Sequence, residues 1–138
     1  MQRNLQKTTK CIKKNRVLLI GVDTSKITNH NIPGYDPAEI HRLSVIAKDK
    51  LVAAGYDAKW CYLDITPGGS PLEVLTAELT TNQFDCILVG AGLRKRPDLL
   101  LFESLINTVH QFAPNSKICF NEDVHDTEAT VQRHLNLK

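Results

Sequence analysis

The stretch FDCILVGAGLRKRPDLL, residues 84–100, passes from an apolar run of strand length to the opening of a helical pattern within a few residues. Its first part, FDCILV, has the apolar continuity of a strand buried on both faces, so GAGLRKRPD is a strand-to-helix corner. Two glycines one residue apart, followed by Arg94, Lys95 and Arg96, also have the composition of a backbone cradle for an anion. The same texture recurs along the chain. VLLIGVD (17–23), YDAKWCYLD (56–64), FDCILVGAG (84–92) and SKICFNE (116–122) are short runs of strand type. Between them apolar residues return at three- and four-residue steps, as in Ile40, Leu43, Ala47, Leu51 and Ala54, and again in Leu99, Phe102, Leu105, Ile106, Val109 and Phe112.

The helix boundaries are set by capping chemistry. Asp36-Pro37-Ala38-Glu39 offers an N-cap carboxylate, a proline at the first helical position and a glutamate at the third, and Ser70-Pro71-Leu72-Glu73 repeats the arrangement. Gly55 can adopt the left-handed conformation that ends the first helix, Pro114 and Asn115 close the third, and a last helix begins near Asp126. Four strands alternating with four helices predict parallel pairing, right-handed crossovers and helices on both faces, a three-layer αβα sandwich over residues 16–138. The expected strand order, 2-1-3-4, resembles that of the flavodoxin-like and receiver-domain group with one strand fewer; a Rossmann-like 3-2-1-4 is the alternative.

LLLFESLINTVHQFAPNSKICFN (99–121), with FDCILVGAG before it, resembles stretches of small uncharacterised single-domain bacterial α/β proteins. The resemblance covers about the C-terminal third of the chain. It implies the fold and attaches no activity.

Length and composition narrow the function classes. At 138 residues, 42% hydrophobic and 23% charged, the chain has the size of one domain and an ordinary globular composition. No apolar run approaches the roughly 20 residues that span a bilayer, so a membrane protein is not expected. The net charge of +2 conceals an asymmetry: six of the 17 cations and none of the 15 acids fall within the first sixteen residues. Residues 1–15 therefore read as a basic, disordered leader, and the absence of interleaved aromatics argues against nucleic acid as its partner. Without apolar periodicity, residues 1–14 are expected to be dispensable for folding. Deleting them should leave the melting temperature nearly unchanged, and a large drop would show that the tail docks on the sheet. Cys11, Cys61, Cys86 and Cys119 form no C-x-x-C pair and no metal-ligand spacing. They read as reduced, mostly buried thiols of a cytoplasmic protein.

In open parallel sheets ligands bind outside the carboxyl ends of the strands, where the strand order reverses. Order 2-1-3-4 puts that crevice between strands one and three, walled by residues 23–36 and 90–98. The first of these loops has about thirteen residues against a usual two to six, which makes it a candidate lid or specificity loop. The expected ligand is an anionic or nucleotide-like small molecule, held by Asp23, Thr24, Ser25, Gly90, Gly92, Arg94 and Asn121. Arg94 is expected to supply the directional contact while Lys95 and Arg96 face solvent, and Gly92 is required if its φ is positive.

Other chemistries are incompletely equipped. Asp23 and Asp64 end neighbouring strands about 4.8 Å apart, close enough to hold Mg²⁺ or share a proton. A dinucleotide fingerprint wants G-x-G-x-x-G in the first turn, whereas Gly90 and Gly92 follow the third strand and Lys95 stands in the third glycine's place. Receiver-type phospho-relay lacks its acid pair, since Asp23 stands alone, and Gly90 occupies the acceptor region. Asp23, Ser25 and His125 are the catalytic candidates, with His30 in the same loop as Ser25 and with His125 beside Asn121 and Asp126 as a general acid or base. These residues identify neither a reaction nor a cofactor. The competing reading is a regulatory or protein-interaction module, homodimeric through an exposed edge strand.

Overall fold

The computed structural model describes residues 15–26, 36–95 and 98–135. The leader through residue 14, with Cys11, lies outside the described residues, as do positions 27–35 of the long loop, with His30, and Arg96 and Pro97.

Alternating apolar residues build the sheet. β1 (Arg16–Val22) sends Leu18 and Ile20 to one face and Val17 and Leu19 to the other, all four at 0% exposure. It lies between β2 (Asp57–Leu63) and β3 (Cys86–Val89), and β4 (Lys117–Phe120) follows β3 at the edge. Every pairing is parallel, and the order is β2-β1-β3-β4, as expected for the flavodoxin-like arrangement and unlike the Rossmann-like alternative. The register sets Val22 opposite Leu63 and Ile20 opposite Val89, so β1, β2 and β3 end at one common edge.

Helices cover both faces. α1 (Pro37–Ala53) contributes Leu51, and the terminal α5 (Thr127–His134) contributes Val131, to the cluster around Val17, Leu19 and Leu88. α2 (Pro71–Thr81) and α4 (Leu99–Phe112) close the opposite face with Leu75, Leu79, Leu105 and Val109 against Leu18, Ile20 and Ile87. Among the described residues, no helix is long and apolar enough to cross a membrane.

Local signals held unevenly. Asp36 caps α1 as expected, its Oδ1 accepting from the backbone N–H of Ala38 (3.1 Å) and Glu39 (3.3 Å). Ser70 begins α2 without a side-chain cap bond, although Pro71 occupies the first turn. Gly55 has φ 103°, the left-handed conformation anticipated after α1. β3 stops at Val89 rather than running through the glycines, because Ala91–Arg94 turn at once into a short helix, α3. Leu99 lies outside the core at 73% exposure, and the buried face of α4 is centred on Leu105 and Val109 instead.

Candidate functional site

β1 and β2 finish in the same local motif, an aspartate followed two residues later by a hydroxyl residue. Such a pair closes an Asx turn, because the short carboxylate can reach the next-but-one backbone N–H. Asp23 Oδ1 accepts from the Ser25 backbone N–H (3.1 Å) and the Ser25 hydroxyl (2.6 Å). Asp64 Oδ1 accepts from the Thr66 backbone N–H (3.1 Å) and the Thr66 hydroxyl (2.5 Å). The Asp23 backbone N–H donates to Leu63 O at 2.8 Å, which extends the β1–β2 ladder to the acids themselves. Each aspartate thus spends one carboxylate oxygen on its own turn, and among the described residues Oδ2 of neither has a hydrogen-bond partner. The Thr66 bonds, helped by Lys26, hold the Asp64 carboxyl below the usual carboxylate range, so it is ionised at neutral pH.

Behind Asp23, under α1, lies an aromatic group that the sequence reading missed. Trp60 and Tyr62 stack with centroids 5.3 Å apart, and His41 tilts against Tyr62 at 5.6 Å. The Ser44 hydroxyl donates its one hydrogen to His41 O (2.7 Å), so in the 2.7 Å Ser44–Tyr62 contact the phenol is the donor. Burial, aided by the charge of Asp23, pushes the Tyr62 phenol up. The signal was present as alternation in β2, where Trp60 and Tyr62 share one side. That pattern reads equally as plain core.

The exit of β3 is built by close approach. Gly90 donates to Ile20 O at 2.9 Å, and a Cβ at residue 90 would stand 3.0 Å from that same oxygen, so any other residue there would press on the end of β1 and force its backbone to give by a few tenths of an ångström. Gly92 is different: its φ is not positive, it is exposed, and an added Cβ would meet only Val22 Cγ2 at 3.6 Å, an ordinary contact.

Arg94 turns toward the protein. Its guanidinium donates to Val89 O (2.5 Å), to Asn121 Oδ1 (3.1 Å) and to Asn121 O, and lies 5.3 Å over the Phe120 ring. Burial lowers its pKa, with Asp126 opposing. Asn121, 3% exposed, passes the network on by donating to the Thr127 hydroxyl (3.2 Å). Lys95 donates to Glu122 O at 2.9 Å instead of standing free in solvent. The Asp98 side chain accepts from the Leu101 N–H (3.0 Å), so a carboxylate already occupies the amino end of α4. Arg94 and Asn121 are thereby joined as a clamp between the ends of β3 and β4, while Asp23, Thr24 and Ser25 follow β1 and Gly90 and Gly92 follow β3 at the same edge.

Among the described residues His125 bonds to Asp123 and to neither group. Its backbone N–H donates to Asp123 Oδ1 (2.7 Å), its ring Nδ1 lies 3.3 Å from the same oxygen, and its side chain is 72% exposed. Among the described residues, no group of three or more His, Cys, Asp or Glu side chains is placed to hold a metal ion, so Asp23 and Asp64 make a pair of acids and not a larger ligand set.

A hollow of about 770 Å³ opens at the amino edge of the sheet between the start of β1 and the loops that precede β3 and β4. Its charged groups are consumed by one another. Arg16 pairs with Asp57 (3.1 Å), donates to Gln83 O (3.1 Å) and lies 5.0 Å over Phe84, and its backbone N–H donates to Asp85 (2.8 Å). No protein-family model matches the chain, and no curated protein matches it.

Proposed function

We propose that the chain is a small α/β domain that binds an anionic or nucleotide-like small molecule at the carboxyl edge of its sheet. The observation that carries this reading is the pair of aspartates at adjoining strand ends, each fixed by an Asx turn with one oxygen turned to no partner among the described residues. Two preorganised acceptors side by side suit vicinal hydroxyls of the ribose kind. Lys26, close enough to lower the Asp64 pKa, is a cation at this edge for the anionic part, and exposed Gly92 lets that part approach the backbone. We also place the chain with the small bacterial flavodoxin-like proteins that its C-terminal third resembles, and in the cytoplasm.

The test is a thermal-shift screen against nucleosides, nucleotides and phosphorylated sugars. A ligand at a hundred times its Kd should stabilise the protein by about 2.7 kcal/mol. Asp23→Asn should weaken that ligand by about 1.5–3 kcal/mol, the scale of a hydrogen bond to a charged group. It should leave the melting temperature nearly unchanged, since the amide oxygen can still accept from Ser25. No shift with any compound in the screen would sink the reading.

A second reading, a regulatory or homodimeric interaction module, is favoured by one surface feature. Leu99 and Leu100 are 73% and 74% exposed, and Phe120, on the free edge strand β4, is 41% exposed. Sedimentation of the wild type across a concentration series separates this from the ligand-binding monomer.

A further inference from the structure

Cys86 on β3 and Cys119 on β4 meet inside the protein with their Sγ atoms 2.9 Å apart, at 0% and 1% exposure. In register Cys86 faces Lys117 and Cys119 faces Leu88, so the thiols lie on a diagonal across the ladder, within the cluster that α1 and α5 cover. Non-bonded heavy atoms rest about 3.5–4.0 Å apart, and a disulfide is about 2.05 Å long. The two sulfurs sit between these distances, with nothing intervening. We infer that Cys86 and Cys119 are a peroxide-sensitive dithiol that closes into an intramolecular disulfide joining β3 to β4.

The chemistry balances with one peroxide. The Cys86 sulfur attacks a peroxide oxygen, the O–O bond breaks, and the departing hydroxide leaves as water with the thiol proton. The resulting sulfenic acid is attacked by the Cys119 sulfur; the S–O bond breaks and a second water leaves, carrying the Cys119 proton. Two thiols lose two electrons, and the peroxide is reduced to two waters. Cys86 is the attacking group, because the hydrogen bond from Cys119 draws its pKa down against burial, while the donor Cys119 is held up.

The fold permits the closure. In this parallel pair the two cysteines are offset by two residues along the strands, a Cα separation of about 8 Å, and disulfides prefer about 4.4–6.8 Å, so β4 has to slide along β3 by roughly 2 Å. β4 is a four-residue edge strand paired on one side only, which makes it the strand best able to move. Peroxide is small enough to enter by brief opening of that edge. Cys61 is the internal control. It is buried in the opposite cluster, and burial pushes its thiol up to about 11.

The experiment uses the full chain with Cys11→Ser, treated while folded with hydrogen peroxide, then denatured, alkylated and mapped by mass spectrometry. Cys86 and Cys119 should lose alkylation together, appear in one cross-linked peptide pair that has lost two hydrogens, and return on reduction, with Cys61 alkylated throughout. In Cys86→Ser the oxidation of Cys119 should slow by about tenfold or more, since the attacking thiol is gone. Retained alkylation of both, separate oxygen adducts without a cross-link, cross-linking only in denaturant, or an unchanged Cys119 rate in Cys86→Ser would each overturn the inference.

Discussion

Arg94→Ala is expected to destabilise the protein by about 2–4 kcal/mol, lowering the melting temperature by about 10 °C. The sequence suggests the opposite, a cation reaching over the crevice whose loss weakens a ligand and spares the fold. The structure gives the guanidinium three acceptors and a ring: Val89 O, both oxygens of Asn121, and Phe120. Truncation leaves the Asn121 amide oxygen unpaired at a site 3% exposed, and an orphaned buried acceptor costs its desolvation as well as the lost bond. Arg94→Lys should recover less than half of the loss, because one ammonium cannot reproduce a planar fork that reaches carbonyls on two strands. Urea unfolding of the three proteins checks this. A change within about 0.5 kcal/mol for Arg94→Ala, the usual range of a surface substitution, would return the side chain to the ligand.

Gly69→Ala is the second large expected effect, about 1–3 kcal/mol of destabilisation together with loss of ligand affinity. An added Cβ would stand 2.8 Å from Asp64 Cγ and overlap the Asp64 carbonyl oxygen, so the turn that fixes the carboxylate must shift. Gly68→Ala is the contrast. Residue 68 has φ +90° with nothing within 4 Å of an added Cβ, so alanine there costs only backbone strain, about 1–2 kcal/mol. Both variants should unfold earlier, but only Gly69→Ala should weaken whichever nucleotide or sugar phosphate the screen returns. Equal affinities in the two variants would remove Asp64 from the site.

The fold was legible because its determinants are local and redundant. The continuous apolar run of β1, the Asp36 cap and the left-handed Gly55 each follow from a few neighbouring residues, and together they leave few topologies. The carboxyl edge was also legible, since strand order alone locates it. The roles of its side chains were not. Whether Arg94 faces solvent or Asn121 depends on a contact between residues 27 positions apart, which no local pattern encodes. The glycine pair failed as a unit for a similar reason: a side chain at Gly90 would press on the Ile20 carbonyl on another strand, and one at Gly92 on nothing comparable. The Trp60–Tyr62–His41 group went unseen because aromatic residues on alternate strand positions look the same whether they form core or wall.

The position of β1 in the middle of the sheet has a consequence for how the protein is made. A chain emerging from its amino end presents this strand before either of its partners: one side of it is satisfied only when residues 57–63 arrive and the other only when residues 86–89 do. Until then a seven-residue strand with four apolar side chains that end fully buried has an unpaired flank. Nascent chains that end before the third strand are therefore the aggregation-prone species, and the cell must shield β1 until both of its partners have been made.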